Sequence, residues 1–305
     1  MLDAEQSGFA WGEETVTELL LLAAGPEVRA FPFNKRQEGG KDGTGADWLW
    51  WWIGDGGVSF GALVQAKRLK KKPGGRWDLD FDYNGGKQWA SLMRAAQALQ
   101  VAPTYALYMG SPRYRHPVAC TKRQHPEDFT LCLRCIRKTV TLLPALLLAP
   151  GSALGSDPAW AYDLAVPMED LVDPRRYVAA TPSYPGLELG PDLERFLFSA
   201  QTGPKRVAKE LVEQIRRVRA SQYGLATADP VDMTSEEYTL PTLPDDRLHV
   251  GEPYFPNILR GLRNSPPGYL LELLVNDDPE TVSELALGLD DVSLAGVVIV
   301  DQRDR

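Results

Sequence analysis

The stretch that decides the fold runs from Gly45 to Leu69: GADWLWWWIG (45–54), then DGG (55–57), then VSFGALVQAKRL (58–69). A tryptophan-rich apolar run favours a strand, because aromatic side chains pack well on a pleated surface. Asp55, Gly56 and Gly57 supply turn chemistry, so the two runs are predicted to pair as a hairpin over 46–54 and 58–69. Gln65 and Lys67 are two apart on the second strand, and their side chains therefore leave the same face. Asp47 stands at the start of the first strand, facing them. Mg²⁺ takes carboxylate and carbonyl oxygens, usually one or two carboxylates plus substrate oxygens. A lysine beside such an ion is suited to hold or activate a water, or to steady charge developing on a phosphate. Polar residues on a strand are more often a solvated face, but here they interrupt a strand that is otherwise apolar.

Working outward, apolar spacing predicts a helix over 15–24 and alternation predicts a strand over 27–34, with a polar Gly-rich loop at 35–44. After the hairpin come a basic and then aromatic connection (70–86), a helix over 87–100 and a strand over 104–109. This order, with Asp47 followed by Gln65-Ala66-Lys67, resembles the PD-(D/E)XK nucleases. It is most similar to their Mrr-like branch, the restriction endonucleases in which Gln replaces the acid before x-Lys. The resemblance covers residues 10 to 110 and implies an α/β fold with a restriction-endonuclease-like αβββαβ core and a mixed central sheet. It also implies Mg²⁺ or Mn²⁺ bound by Asp47, Gln65 and a glutamate of the first helix, with Lys67 acting on the attacking water. Glu13 is the first choice for that glutamate because Val16, Thr17, Leu20 and Leu21 follow it at helical spacing; Glu14 is the alternative and Glu18 a weaker one. An amide oxygen is a poorer Mg²⁺ ligand than a carboxylate, so Gln65 is a departure from the commoner pattern. The implied activity is hydrolysis of phosphodiester bonds, DNA favoured, in restriction or antiviral defence. An inactive nuclease-fold module that binds nucleic acid or protein, and an RNA-directed nuclease, are the alternatives. A nucleic acid substrate is the expected partner, with a homodimer or a defence-system protein also open.

Net charge is −8 and the estimated pI 5.1, so overall charge does not mark a nucleic-acid binder. Binding follows local potential instead. Lys67, Arg68, Lys70, Lys71, Lys72 and Arg76 form one basic run directly after the candidate strand. Arg68, Lys70, Lys71 and Lys72 are expected to contact phosphate, and the resemblance implies that Gln88, in the first turn of the next helix, belongs with these nucleic-acid contacts and supports the site. A second group, Lys205, Arg206, Lys209, Arg216, Arg217 and Arg219, lies along one predicted helix and reads equally well as a solvated face. No apolar stretch approaches a membrane span. The first residues lack the pattern of a signal peptide. With three cysteines and no secretion signal, a reducing, cytoplasmic setting is expected.

All three cysteines and two of the three histidines fall between His116 and Cys135. Cys132 and Cys135 form a C-x-x-C pair, which with Cys120 and His116 or His125 has the composition of a structural Cys₃His zinc site. Ordinary buried thiols and a redox pair are the competing readings, and stoichiometric zinc in the purified protein is the discriminating result. The expected organisation is a nuclease core over 1–175, with the Cys/His loop at 111–138 as an insertion, and an accessory C-terminal α/β extension over 176–305. Strands are predicted over 142–150, 160–166, 269–275 and 295–302, and helices over 191–199, 204–223 and 279–287.

Overall fold

The computed structural model describes residues 12–33, 48–81, 85–109, 137–148, 158–173, 187–188, 191–226, 243–244, 254–276, 278–288 and 294–303. The chain opens with helix α1 (Glu13–Leu22) and strand β1 (Val28–Pro32). The hairpin follows: β2 (Trp48–Ile53), a 3₁₀ turn at Asp55–Gly57, and β3 (Ser59–Arg68). A short ribbon of β4 (Lys70–Lys71) and β5 (Trp77–Asp78) leads to helix α2 (Lys87–Ala98) and β6 (Ala102–Tyr108). Next come β7 (Val140–Pro144), α3 (Pro158–Leu164), β8 (Val166–Pro167), α4 (Met168–Val172) and β9 (Leu187–Glu188). Helices α5 (Pro191–Phe198) and α6 (Gly203–Ala226) precede β10 (Leu243–Pro244), α7 (Tyr254–Leu259) and β11 (Leu262–Arg263). The described chain closes with α8 (Gly268–Val275), α9 (Pro279–Gly288) and β12 (Gly296–Asp301).

These elements make an α/β structure around one mixed sheet, with strands in the order β1-β12-β2-β3-β6-β7-β8 and β11 beside the start of β3. β2 and β3 are antiparallel, as their turn dictates, whereas β3 and β6 are parallel and joined through α2. β12 runs parallel to β2 and antiparallel to β1. A C-terminal strand thus lies between the first two strands of the chain, and the sheet draws its strands from both sides of residue 175. All six residues of β2 are buried, and β12 is buried from Gly296 to Val300. Strands covered on both faces read as continuous apolar runs, which is why WLWWWI and GVVIV lack alternation.

Packing at the centre is tight. A Cβ on Gly61 of β3 would sit 2.7 Å from both the Trp51 ring and the Val101 side chain, so only glycine fits opposite that indole. Tyr269 meets Trp51 edge-on with ring centroids 6.4 Å apart, and burial pushes its phenol up to about 12.

Two predicted strands are helices. YLLELLV, expected as a strand over 269–275, lies in α8: Leu270 and Leu273 are buried while Leu271 and Val275 are exposed. That is a period of three to four residues, and a short apolar run does not reveal it before its burial is known. Of the strand expected over 160–166, residues 160–164 lie in α3, which starts at Pro158, and only Val166 is extended, in the two-residue strand β8. The strand expected over 142–150 ends at Pro144 and passes into a 3₁₀ turn at Ala145–Leu148. No helix among the described residues is long and apolar enough to cross a membrane.

The second basic group is a support of the core. Arg206, Lys209 and Arg216 are fully buried on α6. Arg206 donates to the Asp170 carbonyl, and to that of Asp173 at 2.9 Å; Lys209 donates to the Ser199 carbonyl at 2.8 Å. Arg216 pairs with Glu213 at 2.8 Å and lies 5.8 Å from the centre of the Phe198 ring. Burial holds the Lys209 ammonium below the ordinary lysine range. Lys205 and Arg217 stay exposed, and the side chain of Arg219 lies outside the described residues.

Candidate active site

Strand alternation puts Gln65 and Lys67 on one face of β3, with Tyr105 and Leu107 as their register partners on β6. Both polar side chains are buried, at 2% and 4% exposure. The Gln65 Oε1 atom has no hydrogen-bond partner among the described residues. Lys67 is held in place: its Nζ donates to Gln88 Oε1 at 2.7 Å and to the Asp80 carbonyl at 3.1 Å. The ammonium also lies 6.0 Å from the centre of the Tyr105 ring. A buried lysine costs desolvation unless donors and acceptors are matched, and these contacts supply the match.

Gln88 reaches Lys67 because of how α2 starts. Gly85 and Gly86 take positive φ values of 65° and 79°, a left-handed backbone that glycine adopts without strain, and the helix begins at Lys87. Gln88 in the first turn then points back to β3. The side chain grouped by sequence with the substrate-contacting residues has its oxygen engaged by Lys67.

Glu13 approaches the C-terminal end of the same strand, next to Lys67. Its Oε1 accepts the Arg68 backbone N–H at 3.1 Å and lies 3.3 Å from Lys70 Nζ. α1 is fixed there by Thr17, which donates to the Glu13 carbonyl at 2.9 Å and shares a 2.8 Å hydrogen bond with the Tyr108 hydroxyl. Of the three helix glutamates, Glu13 is half-buried against β3, whereas Glu14 and Glu18 are exposed. Glu13 therefore meets the strand one residue past Lys67, through a backbone amide.

Lys70, Lys71 and Lys72 are exposed on the β4–β5 ribbon, and Arg68 is half-buried at the end of β3. Lys71 lies 5.9 Å from the centre of the Trp77 ring, and Lys72 pairs with Asp78 Oδ2 at 2.7 Å. That hydrogen bond to Asp78 raises the Lys72 ammonium above the ordinary lysine value. The same Asp78 oxygen accepts the Asp80 N–H at 3.0 Å. Asp78 and Asp80 were not singled out by sequence reasoning; the D-x-D spacing, in which a side chain caps the amide two residues on, was the available signal. Asp47 lies outside the described residues, immediately before Trp48, whose register partner is Val64. His116, Cys120, His125, Cys132 and Cys135 lie outside them as well, and among the described residues no group of three His, Cys, Asp or Glu side chains is placed to hold a metal.

Fold and site together define an α/β protein with a mixed sheet and a buried Gln-x-Lys pair beside an exposed basic ribbon. The chain belongs to a family of unknown function, DUF6615, whose model matches residues 1–304. No curated protein and no solved structure matches it.

Proposed function

We propose that this protein is a metal-dependent nuclease hydrolysing phosphodiester bonds, DNA in preference to RNA, with α1, β1, β2, β3, α2 and β6 as a PD-(D/E)XK-like core. The observation that carries the reading is the pair on β3: a buried, unpartnered amide oxygen two residues from a buried, firmly held lysine. Buried polar atoms are nearly always hydrogen-bonded, so a buried acceptor on the same strand face as a fixed cation is suited to a ligand. Gln65 Oε1 is a hard oxygen and fits a divalent cation of the Mg²⁺ type, with Asp47 and Glu13 as the carboxylates that would complete the set. When bound, Mg²⁺ or Mn²⁺ polarises the scissile phosphate and makes a water more acidic.

The chain's own residues supply the rest. Lys67 offers an ammonium to charge developing on the phosphate, and Gln88 and Asp80 fix its direction, so little reorganisation is needed during reaction. Lys70, Lys71 and Lys72 offer exposed charge to the nucleic-acid backbone. Restriction or antiviral defence is the setting that the family resemblance favours. One feature supports a second reading, a nuclease-like fold that binds without cutting: Glu13 Oε1 is already engaged by the Arg68 amide and Lys70.

Incubation of labelled DNA and RNA with Mg²⁺, Mn²⁺ or EDTA separates these readings. Metal-dependent DNA cleavage is the expected result. Salt-sensitive binding with no cleavage of either polymer would identify the binding module, and cleavage of RNA alone an RNA-directed enzyme.

A further inference from the structure

We propose that Asp78 is a positioning residue for Lys67, tying the basic β4–β5 ribbon to the lysine through the backbone of Asp80. The inference rests on reading Lys67 as the phosphate-facing lysine of a nuclease site. Asp80 is one of two non-glycine residues with positive φ among those described, at 49°. L side chains avoid this region, and aspartate enters it chiefly when a local hydrogen bond compensates. Here Asp78 Oδ2 accepts the Asp80 N–H at 3.0 Å. The Asp80 carbonyl then accepts from Lys67 Nζ at 3.1 Å.

The residues on either side hold that turn in the protein. Leu79 and Phe81 are buried at 2% and 6% exposure, and Phe81 packs on Tyr105 with centroids 5.2 Å apart. Tyr105 is the same ring that Lys67 approaches. Asp80 is thus anchored through its neighbours, and its left-handed turn depends on Asp78. The Asp78 oxygen is shared, because Lys72 Nζ also bonds Oδ2 at 2.7 Å. A phosphate that draws Lys72 away alters the charge around Asp78, so engagement of nucleic acid on the ribbon is coupled to the acceptor that orients Lys67. Gln88 holds the lysine from α2 independently of this chain of contacts.

The experiment compares wild type, Asp78→Ala and Asp78→Asn in three measurements. These are the single-turnover cleavage rate of labelled DNA, the DNA Kd, and the exchange rate of the Lys67 ammonium protons by NMR, assigned from their loss in Lys67→Met. Asp78→Ala should slow cleavage about tenfold, the size of one lost hydrogen bond, with the Kd changing much less. Its Lys67 ammonium protons should exchange faster. Asp78→Asn keeps an oxygen for the Asp80 N–H and should recover most of the rate and the slow exchange, although it lacks the charge that pairs with Lys72. An alanine variant with wild-type rate and exchange overturns the proposal, and so does an asparagine variant as slow as alanine. If wild type cleaves neither DNA nor RNA with any metal, the nuclease reading fails while the exchange measurement still decides whether Asp78 positions Lys67.

Discussion

Replacing Arg206 by Met separates a basic residue that supports the fold from one that meets a phosphate. The substitution keeps the apolar stem and removes a fully buried guanidinium, leaving the Asp170 and Asp173 carbonyls without this donor. An orphaned buried acceptor costs roughly 1–3 kcal/mol. The bond to the Asp170 carbonyl is buried, so water does not readily replace it, while Asp173 is exposed and water can replace most of its bond. Relief from desolvating the cation offsets part of the loss, so about 1–2 kcal/mol net is expected. At roughly 2–4 °C per kcal/mol for a chain of this size, the Tm should fall by about 2–8 °C. DNA affinity, measured by fluorescence anisotropy from 50 to 200 mM salt, should keep the wild-type slope in log Kd against log salt. An unchanged Tm with a shallower slope would refute the reasoning and make α6 a phosphate-binding helix.

Neutralising Lys70, Lys71 and Lys72 together should do the reverse, leaving the Tm nearly unchanged and reducing the salt slope by roughly 0.9 for each phosphate that is no longer neutralised; a wild-type slope would make the ribbon an ordinary solvated surface. Gln65→Glu adds a charge and a better ligand for a hard cation, so isothermal titration should show tighter Mn²⁺ binding. Unchanged affinity would put Gln65 outside the metal's ligands. Tyr269 predicts an alkaline limit: its folded pKa is about 12 against 10.0 for the free group. Its contribution is therefore complete below pH 10 and is lost as pH rises through about 12, amounting to roughly 2–3 kcal/mol. Tyr269→Phe should flatten denaturant stability between pH 10 and 12, and an unaltered pH profile would contradict the assignment.

Local chemistry made the centre of the fold legible. Asp55-Gly56-Gly57 fixes the turn, and the tryptophan run and GALVQAKRL read as strands because burial on both faces leaves little else for them to be. The Gln65–Lys67 pair followed from a period of two. What escaped was non-local. Nothing in AGVVIV says that it runs between β1 and β2, since that pairing joins residues more than 240 positions apart. The cations of α6 looked solvent-facing because sequence does not show the carbonyls that receive them. The place of Lys67 on β3 was legible, but its acceptor at Asp80 depends on a left-handed turn in a loop, which D-x-D only hints at. YLLELLV misled because a short apolar run fits either element, and its burial at Leu270 and Leu273 decided for the helix.

The central claim is that Lys67 acts on a metal-assisted phosphodiester cleavage, and single-turnover cleavage of labelled DNA by wild type and Lys67→Met tests it most directly. Wild type should cut in Mg²⁺ or Mn²⁺ and stop in EDTA. Lys67→Met should cut about 10²–10³-fold more slowly, the usual loss for one charge-stabilising group, while its Tm shows that it remains folded. A Lys67→Met variant that cuts at the wild-type rate, or a wild type that cleaves no nucleic acid with either metal, would contradict the account.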